Sequence, residues 1–552
     1  MRLSRILFGL VLLVLVGVPV ALAPRGGTST SKADRLVIFT PHNEQIRQEF
    51  SDAFGRWHKE RYGIPVEIAW MQPGGTSEIR KMLESSYLAD LKGLSPSEVP
   101  SSGVVEHGVG GNADLFFGGG SYEYTQLSNP ISVEVDGQKR STTILEPLPL
   151  PRELLDAVYG RTADGAPPKI GDAPLYDKGY HWYGAALSGF GIVWNPQVLR
   201  ELGVPEPSHW ADLCDPRLYG WIVLVNPAQS GSVTTAFEAI LQRRGWTDGW
   251  RILRRMAANA RSFAASAPKA PTDVSLGDAA AGVCIDFYGR FQAQAMLDAA
   301  NSKNGAPTPR VGYIDPAGET VIDPDPVALL RGAPHRELAE RFVEFVLSTE
   351  GQALWQLQAK SRLPAPPADG LGPETYELRR MPVRRELYAT LGDRFVDKVD
   401  PWTIATAVEK PNSSYRAFLP MIFVAFSIDN RDLLRDAWQA IVTHPAYAAA
   451  ATSSGRTIVT AADVADPDLR RMLELFDALP TVRGPNGATF DLNDPATLDA
   501  VRNGWLKKQW AKDGLWPSDA VPAEYLRAEM TAFFRRQYEE ILAIAARSGG
   551  RS

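Results

Sequence analysis

The sequence predicts an α/β protein of two lobes with a mostly helical carboxyl-terminal extension. Three observations carry that expectation. Residues 36–117 alternate strand, helix, strand, helix and strand patterns, the opening of a doubly wound sheet. Residues 221–225 and 281–285 are short apolar strand patterns. The first passes through Ser230-Gly231-Ser232 into a helix pattern, and the second delivers Asp286, Phe287 and Tyr288 to its carboxyl end, where a strand continued through them would point Asp286 and Phe287 to opposite faces. The 552-residue chain exceeds one hydrophobic core, and beyond residue 371 its pattern turns mostly helical.

The first strand, residues 36–40, ends at Pro41-His42-Asn43. The helix after it carries Ile46, Phe50, Ala53, Phe54 and Trp57 on one face. The second strand, residues 66–70, ends in Pro73-Gly74-Gly75-Thr76, where Thr76 or Ser77 caps a helix bearing Ile79, Met82 and Leu83. After a polar loop, residues 93–111, a third strand over 113–117 stops at Gly118-Gly119-Gly120. Past Ser121 the chain is expected to cross to the second lobe. Residues 180–194 alternate aromatic and small side chains and read as paired strands. A loop-and-helix block, 210–220, leads into the strand at 221–225. Residues 310–314 read as a strand returning to the first lobe. Residues 335–348 form an amphipathic helix, with Leu338, Phe342, Phe345 and Val346 inward. A proline-rich linker, Leu363-Pro364-Ala365-Pro366-Pro367, follows. These signals divide the chain into a signal or anchor segment with tether (1–34), a first lobe (35–121 plus 310–350), a second lobe (122–309), and a linker with a helical region (351–552). The helical region, with long stretches at 422–441 and 523–544, is expected to pack on the second lobe; the alternative is a small domain of its own.

Hydrophobic content of 44% and charged content of 22% are those of a soluble globular protein. The net charge of -6 and the scattered Lys and Arg leave no footprint for nucleic acid. The two cysteines, Cys214 and Cys284, lie in no CxxC or Cys/His cluster, so zinc is not expected. They read as buried small apolar side chains, the alternative being a disulfide. Arg2 and Arg5 precede an apolar run over residues 6–23, long for a signal peptide and just long enough to span a bilayer. Ala21-Leu22-Ala23 resembles a cleavage site, but Pro24 after it disfavours cleavage, so an uncleaved anchor is expected. Residues 26–32 are a small polar tether, and everything beyond is exported.

The candidate binding residues stand at strand ends, where open α/β sheets collect ligands. His42 and Asn43 follow the first strand; the alternative for His42 is a turn facing solvent. Gly74, Gly75 and Thr76 open a helix, where glycine admits close approach and the helix start favours negative charge. The alternative is an ordinary capped turn. Ser230, Gly231 and Ser232 offer two hydroxyls and the free N–H groups of a helix start, against a plain N-cap by one serine. Ser121 and Ser188 add hydroxyls near the same ends. Asp286 and Tyr288 follow the strand at 281–285. Tyr122 and Tyr124 read either as cleft residues or as interlobe packing. Tyr180, Trp182 and Tyr183 read as core, with stacking on a ligand as the alternative.

The order LVIFTPHNEQIRQEF, PGGTSEIRKML, ADLFFGGG, SGFGIVWNP, W-x-D-L-x-D-P-x-L-x-G, NPAQSGS and GDAAAGVCIDFYG resembles the solute-binding proteins of bacterial ABC importers. The nearest branch is the ferric-iron-binding one, with the type II periplasmic-binding-protein fold, and the resemblance covers residues 36–351. It implies that Ser230, Gly231 and Ser232 match the turn that holds an anion in those relatives. It also implies that Asp286-Phe287-Tyr288 falls where they carry Asn-Tyr-Tyr, whose paired phenolates hold ferric iron. Phe287 has no ligating atom. A metal would be left with Tyr288, Asp286 and His42, a set that equally hydrogen-bonds a polar organic solute. No cofactor is expected beyond a bound metal ion or oxyanion.

The resemblance implies an exported, periplasmic, monomeric protein. It would capture a small anionic, polar or metal-bearing solute and deliver it to an ABC transporter permease, without chemistry on the solute. One alternative is a membrane-anchored ligand sensor. The other is an exported hydrolase, against which stands the absence of G-x-S-x-G, H-E-x-x-H and Walker patterns.

Overall fold

The structure, a computed structural model, describes residues 34–301, 310–515 and 522–549. The expected anchor run and tether lie outside the described residues. Two mixed sheets organise the described chain. Their strands, in chain order, are β1 Asp34–Phe39, β2 Val66–Met71, β3 Leu115–Phe117, β4 Tyr183–Ser188, β5 Phe190–Trp194, β6 Ile222–Val225, β7 Ala260–Ala264, β8 Ala281–Ile285, β9 Gly312–Ile314, β10 Asp323–Leu329 and β11 Met381–Pro382.

The first sheet runs β11-β4-β10-β3-β1-β2 and the second β7-β6-β8-β5-β9. In the first, β1 pairs in parallel with β2 and β3, while β10 and β4 run antiparallel. In the second, β6 is parallel to β7 and β8, and β5 joins β8 and β9 antiparallel. Parallel neighbours need crossover helices, which cover the sheet faces and explain the near-continuous apolar strands. Helix α1, Glu44–Tyr62, follows β1. It packs with residues 336–347 on one face through Phe50, Phe54, Phe117 and Phe342. Helix α2, Thr76–Gly93, and helix α3, Ser121–Leu127, cover the other face, with Ile79, Leu83, Phe116 and Tyr124 in one apolar cluster.

The change of lobe differs from the expected one. The chain enters the second sheet at Gly189, between β4 and β5, not at Ser121, so residues 180–194 are not a strand pair but consecutive strands of two sheets. Likewise β9 pairs with β5 in the second sheet, and the return to the first lobe comes between β9 and β10. The patterns were strand patterns, but partner choice between sheets is a long-range property that local periodicity does not carry.

In the second lobe, helix α4, Gly231–Arg244, follows β6, and helix α5, Trp246–Ala258, packs beside it. Helix α6, Asp286–Asn301, starts directly at the end of β8. The carboxyl-terminal region adds α7 Tyr415–Phe423, α8 Arg431–Val442, α9 Pro467–Asp477 and α10 Pro522–Gly549. It packs on α4 and α5. Phe423 meets Phe237 with ring centroids 5.1 Å apart, Trp438 donates its indole N–H to Asn259, and the buried Arg255 pairs with Asp477. The segment between the lobes and these helices is not a free linker. Glu49 of α1, 1% exposed, accepts the backbone N–H groups of Glu374, Thr375 and Tyr376. Five residues on, β11 pairs with β4 at the edge of the first sheet. Cys214 and Cys284 are buried and unpaired with each other. Among the described residues no helix is long and apolar enough to cross a membrane.

Candidate functional site

A cavity of 460 Å³ lies between the two sheets, at the carboxyl ends of β1, β2, β6 and β8. On the first-lobe side its wall includes His42, Asn43, Gly74, Gly75, Thr76 and Ser188. On the second-lobe side it includes Ser230, Gly231, Ser232 and Tyr288. Neither Ser121 nor Asp286 forms part of the wall.

Two helix starts face one another across this space. Gly75 is the N-cap of α2, with its N–H held by Glu78 at 3.0 Å. Ser230 is the N-cap of α4, its Oγ accepting from Val233 N–H at 3.4 Å. That leaves the Ser230 hydroxyl hydrogen, the Ser232 hydroxyl and the first N–H groups of each helix as donors. The lobes touch here: a Cβ built on Gly75 would lie 3.2 Å from the Gln229 carbonyl, and one on Gly231 3.1 Å from Glu123 Oε1. Gly118 and Gly119, both at positive φ, pass so close to His42 and Thr76 that a Cβ on either would sit within 2.5 Å of those side chains. The glycine run is thus what lets β3 end beneath the cleft.

Asn43 is engaged as the N-cap of α1, its Oδ1 accepting Ile46 N–H. His42, 4% exposed, does not face solvent. Arg380 Nη1 donates to its Nε2 at 2.8 Å, which assigns the ring proton to Nδ1. Burial holds the imidazole well below its usual range, reinforced by the Arg380 and Arg47 charges, so it stays neutral.

Arg380 itself was not read from the sequence. It is delivered by the segment that Glu49 and β11 pin down, and it is 2% exposed. It forms a close ion pair with Asp325, donates to Ser188 Oγ at 2.8 Å, and lies 4.3 Å over the Phe287 ring. Burial pulls the guanidinium down to about 10, against the pull of Asp286 and Tyr288, so it remains a cation at neutral pH. Asp325 also accepts the Gly119 N–H, and Asp323 accepts both the N–H and hydroxyl of Ser121. Ser121 therefore orients Asp323, a residue of the cavity wall. The repeated Asp323-Pro324-Asp325-Pro326 was the available signal for these carboxylates, since alternate strand residues share a face; Arg380 had none, being a tertiary placement.

Two buried nitrogens in this cluster, Arg380 Nε and His42 Nδ1, have no hydrogen-bond partner among the described residues. An orphaned buried donor costs about 1–3 kcal/mol.

The strand geometry expected for Asp286, Phe287 and Tyr288 is replaced by the first turn of α6. Asp286 is fully buried, accepts its neighbour's N–H from Phe287, and stands 3.9 Å from Arg290. Burial raises its pKa to about 7, against the Arg290 charge, with Asp315 adding to the rise. Burial likewise raises the Tyr288 phenol, keeping it protonated, a donor rather than a phenolate. Among the described residues no cluster of three His, Cys, Asp or Glu side chains could hold a metal ion. His42 turns its Nε2 to Arg380, and Asp286 sits outside the cavity wall, so the three metal candidates do not converge.

The aromatic candidates are packing residues. Tyr124 is buried, stacked on Phe116, with its hydroxyl on the Gly118 carbonyl. Tyr122 lies under Arg416 of α7, 4.0 Å from its guanidinium. Trp182 and Tyr183 are each 1% exposed, and Tyr180 stacks on Tyr176.

Two α/β lobes enclose a polar cleft lined from both sides. Residues 152–382 carry the match to a known family, described as bacterial extracellular solute-binding protein. The phosphoglycerate transport regulatory protein PgtC of Salmonella typhimurium is 27% identical over 196 residues, 36% of this chain and 46% of that protein. An uncharacterized protein of Haemophilus influenzae is 30% identical over 176 residues, 32% of this chain and 47% of that one. The chain thus spans about half the length of the curated relatives it matches. Among solved structures, the periplasmic binding protein AfuA from Actinobacillus pleuropneumoniae is 18% identical, with 74% of this chain and 98% of that one covered at a TM-score of 0.45. Iron-bound HitA from Pseudomonas aeruginosa is also 18% identical, with 58% and 82% covered at a TM-score of 0.38.

Proposed function

We propose that this chain is an exported solute-binding protein that takes a small anionic organic solute between its lobes and delivers it to the permease of an ABC importer. The observation that carries this reading is the facing pair of helix starts, α2 from one lobe and α4 from the other, on one cavity with the buried cation Arg380. Helix starts point N–H groups and partial positive charge at whatever lies between them. The mechanism is capture, hinge closure and release, with no bond made or broken in the solute. The extracellular character of the matched family supports a periplasmic site of action, and the apolar run at residues 6–23 would hold the protein at the inner membrane.

The solute class most in keeping with the donors is a phosphorylated hydroxy acid, as in the name of the Salmonella relative. Ferric iron held by paired phenolates fits poorly, because Phe287 has no ligating atom and Tyr288 is protonated, while the wall carboxylates Asp325 and Asp323 are engaged by Arg380, Gly119 and Ser121.

A second reading, a ligand sensor, has one observation in its favour: the same relative is named a transport regulatory protein. Two experiments test these readings. Native mass spectrometry of the protein purified from periplasm should show a bound anionic organic solute, and an iron-loaded species would contradict the assignment. Deleting the chain should abolish uptake of that solute while leaving permease expression unchanged; loss of expression would instead support the sensor.

A further inference from the structure

Behind the two helix starts the lobes meet at Ser77 and Glu123 of the first lobe and Gly231 of the second. Ser77 donates to Glu123 at 2.7 Å, and a Cβ on Gly231 would lie 3.1 Å from Glu123 Oε1 and 3.3 Å from Ser77 Oγ. The carboxyl-terminal region reaches this point through one side chain, Arg416, in the first turn of α7. Its Nη1 donates to Thr235 Oγ1 at 3.0 Å and Glu238 Oε2 at 2.9 Å, and its Nη2 to the Gly231 carbonyl at 3.3 Å. All three acceptors belong to α4, so the guanidinium is fixed to the second lobe. Gln242 of α4 also bonds both the N–H and the carbonyl of Asn412, at 3.0 and 2.9 Å, and Phe423 packs on Phe237. Helices α7 and α4 therefore move as one body. The Arg416 side chain is 8% exposed, and its guanidinium lies 4.0 Å from the ring centre of Tyr122, which belongs to α3 of the first lobe. An aromatic face attracts a cation placed over it, and the planar guanidinium stacks well there.

We infer that Arg416 is a positioning residue of the binding site: with Tyr122 it forms a clasp that holds the lobes together before a solute arrives, so that the carboxyl-terminal region sets how tightly the cleft binds. The inference rests on the solute-capture reading above and adds the residue that governs closure. Each half of the clasp is one step from the cavity wall. Gly231, whose carbonyl Arg416 holds, is itself a wall residue. Tyr122 follows Ser121, which bonds the wall residue Asp323 through its N–H and its hydroxyl. Burial raises the Asp323 carboxyl, and the Ser121 bonds and the Arg416 charge oppose that rise, so the guanidinium is felt at the wall. Only the closed arrangement brings both helix starts to one solute. Where that arrangement is a fraction of the ligand-free population, the apparent affinity is reduced by the same fraction. The clasp raises the fraction and thereby pre-organises the site. Its ring partner stands at the surface, where a cation–ring contact is weak enough to bias closure without trapping the solute.

The test reads ligand-free lobe spacing and affinity side by side in the full-length protein. Spin labels at Lys81→Cys in α2 and Thr247→Cys in α5, both exposed positions, report the interlobe distance by double electron–electron resonance; the native Cys214 and Cys284 are buried. The labelled parent should show one short distance population. Tyr122→Leu and Arg416→Met should each add a longer population, which saturating phosphoglycerate removes. Tyr122→Phe keeps the ring face and should restore the parent distribution. Calorimetric titration with phosphoglycerate should give affinities about three- to tenfold weaker in Tyr122→Leu and in Arg416→Met. The double variant should stay within about twofold of Arg416→Met, because both substitutions remove the same contact. Unchanged lobe spacing in Tyr122→Leu, or a double variant that shows the full sum of the two losses, overturns the inference and leaves the solute-capture reading standing. A wild type that does not bind phosphoglycerate contradicts the solute class instead, and the ligand-free distances still decide the clasp. Tyr122 is 36% exposed, so its variants leave the core intact and decide the matter even where Arg416→Met does not fold.

Discussion

Phe287 and Arg380 together set the chemistry of the cleft. A phenyl ring supplies no ligating atom, and the Arg380 guanidinium lies 4.3 Å over it. Restoring a hydroxyl alone should therefore not restore iron: Phe287→Tyr is expected to give no tyrosinate-to-iron absorbance on addition of ferric citrate, and a visible band in that variant would refute this. Ser232→Ala should cost about 1 kcal/mol of binding free energy, up to about 3 with a charged ligand, read as a weaker calorimetric dissociation constant. Asp286 gives a pH signature. Its folded pKa, about 7, lies above its unfolded value, so the folded state binds the extra proton. The stabilisation is full at acid pH and falls as pH rises from the unfolded value to about 7, at about 1.4 kcal/mol per pH unit. Asp286→Asn should flatten that decline in a melting series; an unchanged slope would contradict the assignment. The rule that open sheets collect ligands at strand ends singled out His42, Thr76, Ser230, Ser232 and Tyr288, all of which line the cavity. It gave no hint of Arg380, because nothing local distinguishes an arginine bound for a cleft from one bound for the surface.

At the scale of elements, the strand-helix units were legible because each carries its own periodicity and its own cap. Asn43 before α1 and Ser230 before α4 are examples. Sheet membership was not legible. Tyr183–Ser188 and Phe190–Trp194 differ little in composition, yet they lie in different sheets because Gly189 turns the chain between lobes. The proline-rich stretch read as a linker for a similar reason: its neighbours are ordered by a single distant carboxylate. Glu49 accepts three N–H groups of the segment that carries Arg380, at 2.6, 2.7 and 2.8 Å. Glu49→Ala removes the buried acceptor of three part-buried N–H groups and should cost about 3 kcal/mol of stability, as several charge-assisted bonds are lost at once. A chemical-denaturation series reads that loss. Ligand affinity should fall with it, since Arg380 loses its anchor, and a variant with full affinity would show that the anchor does not position the arginine.

On the scale of the whole molecule, the carboxyl-terminal helices join both lobes. Arg416 of α7 pairs with Glu238 of α4 in the second lobe and lies over Tyr122 of α3 in the first. Opening the cleft must break the second contact. Arg416→Ala should thus raise the radius of gyration of the ligand-free protein in solution scattering and leave the liganded value near wild type. Two lobes, facing helix starts and a guanidinium in place of a phenolate amount to one claim: the cleft closes on an organic anion without a metal. Absorbance during titration of the metal-free protein with ferric citrate tests it most directly. The account predicts no charge-transfer band at any ratio. A band that appears with wild type and vanishes in Tyr288→Phe would contradict it and make iron the cargo.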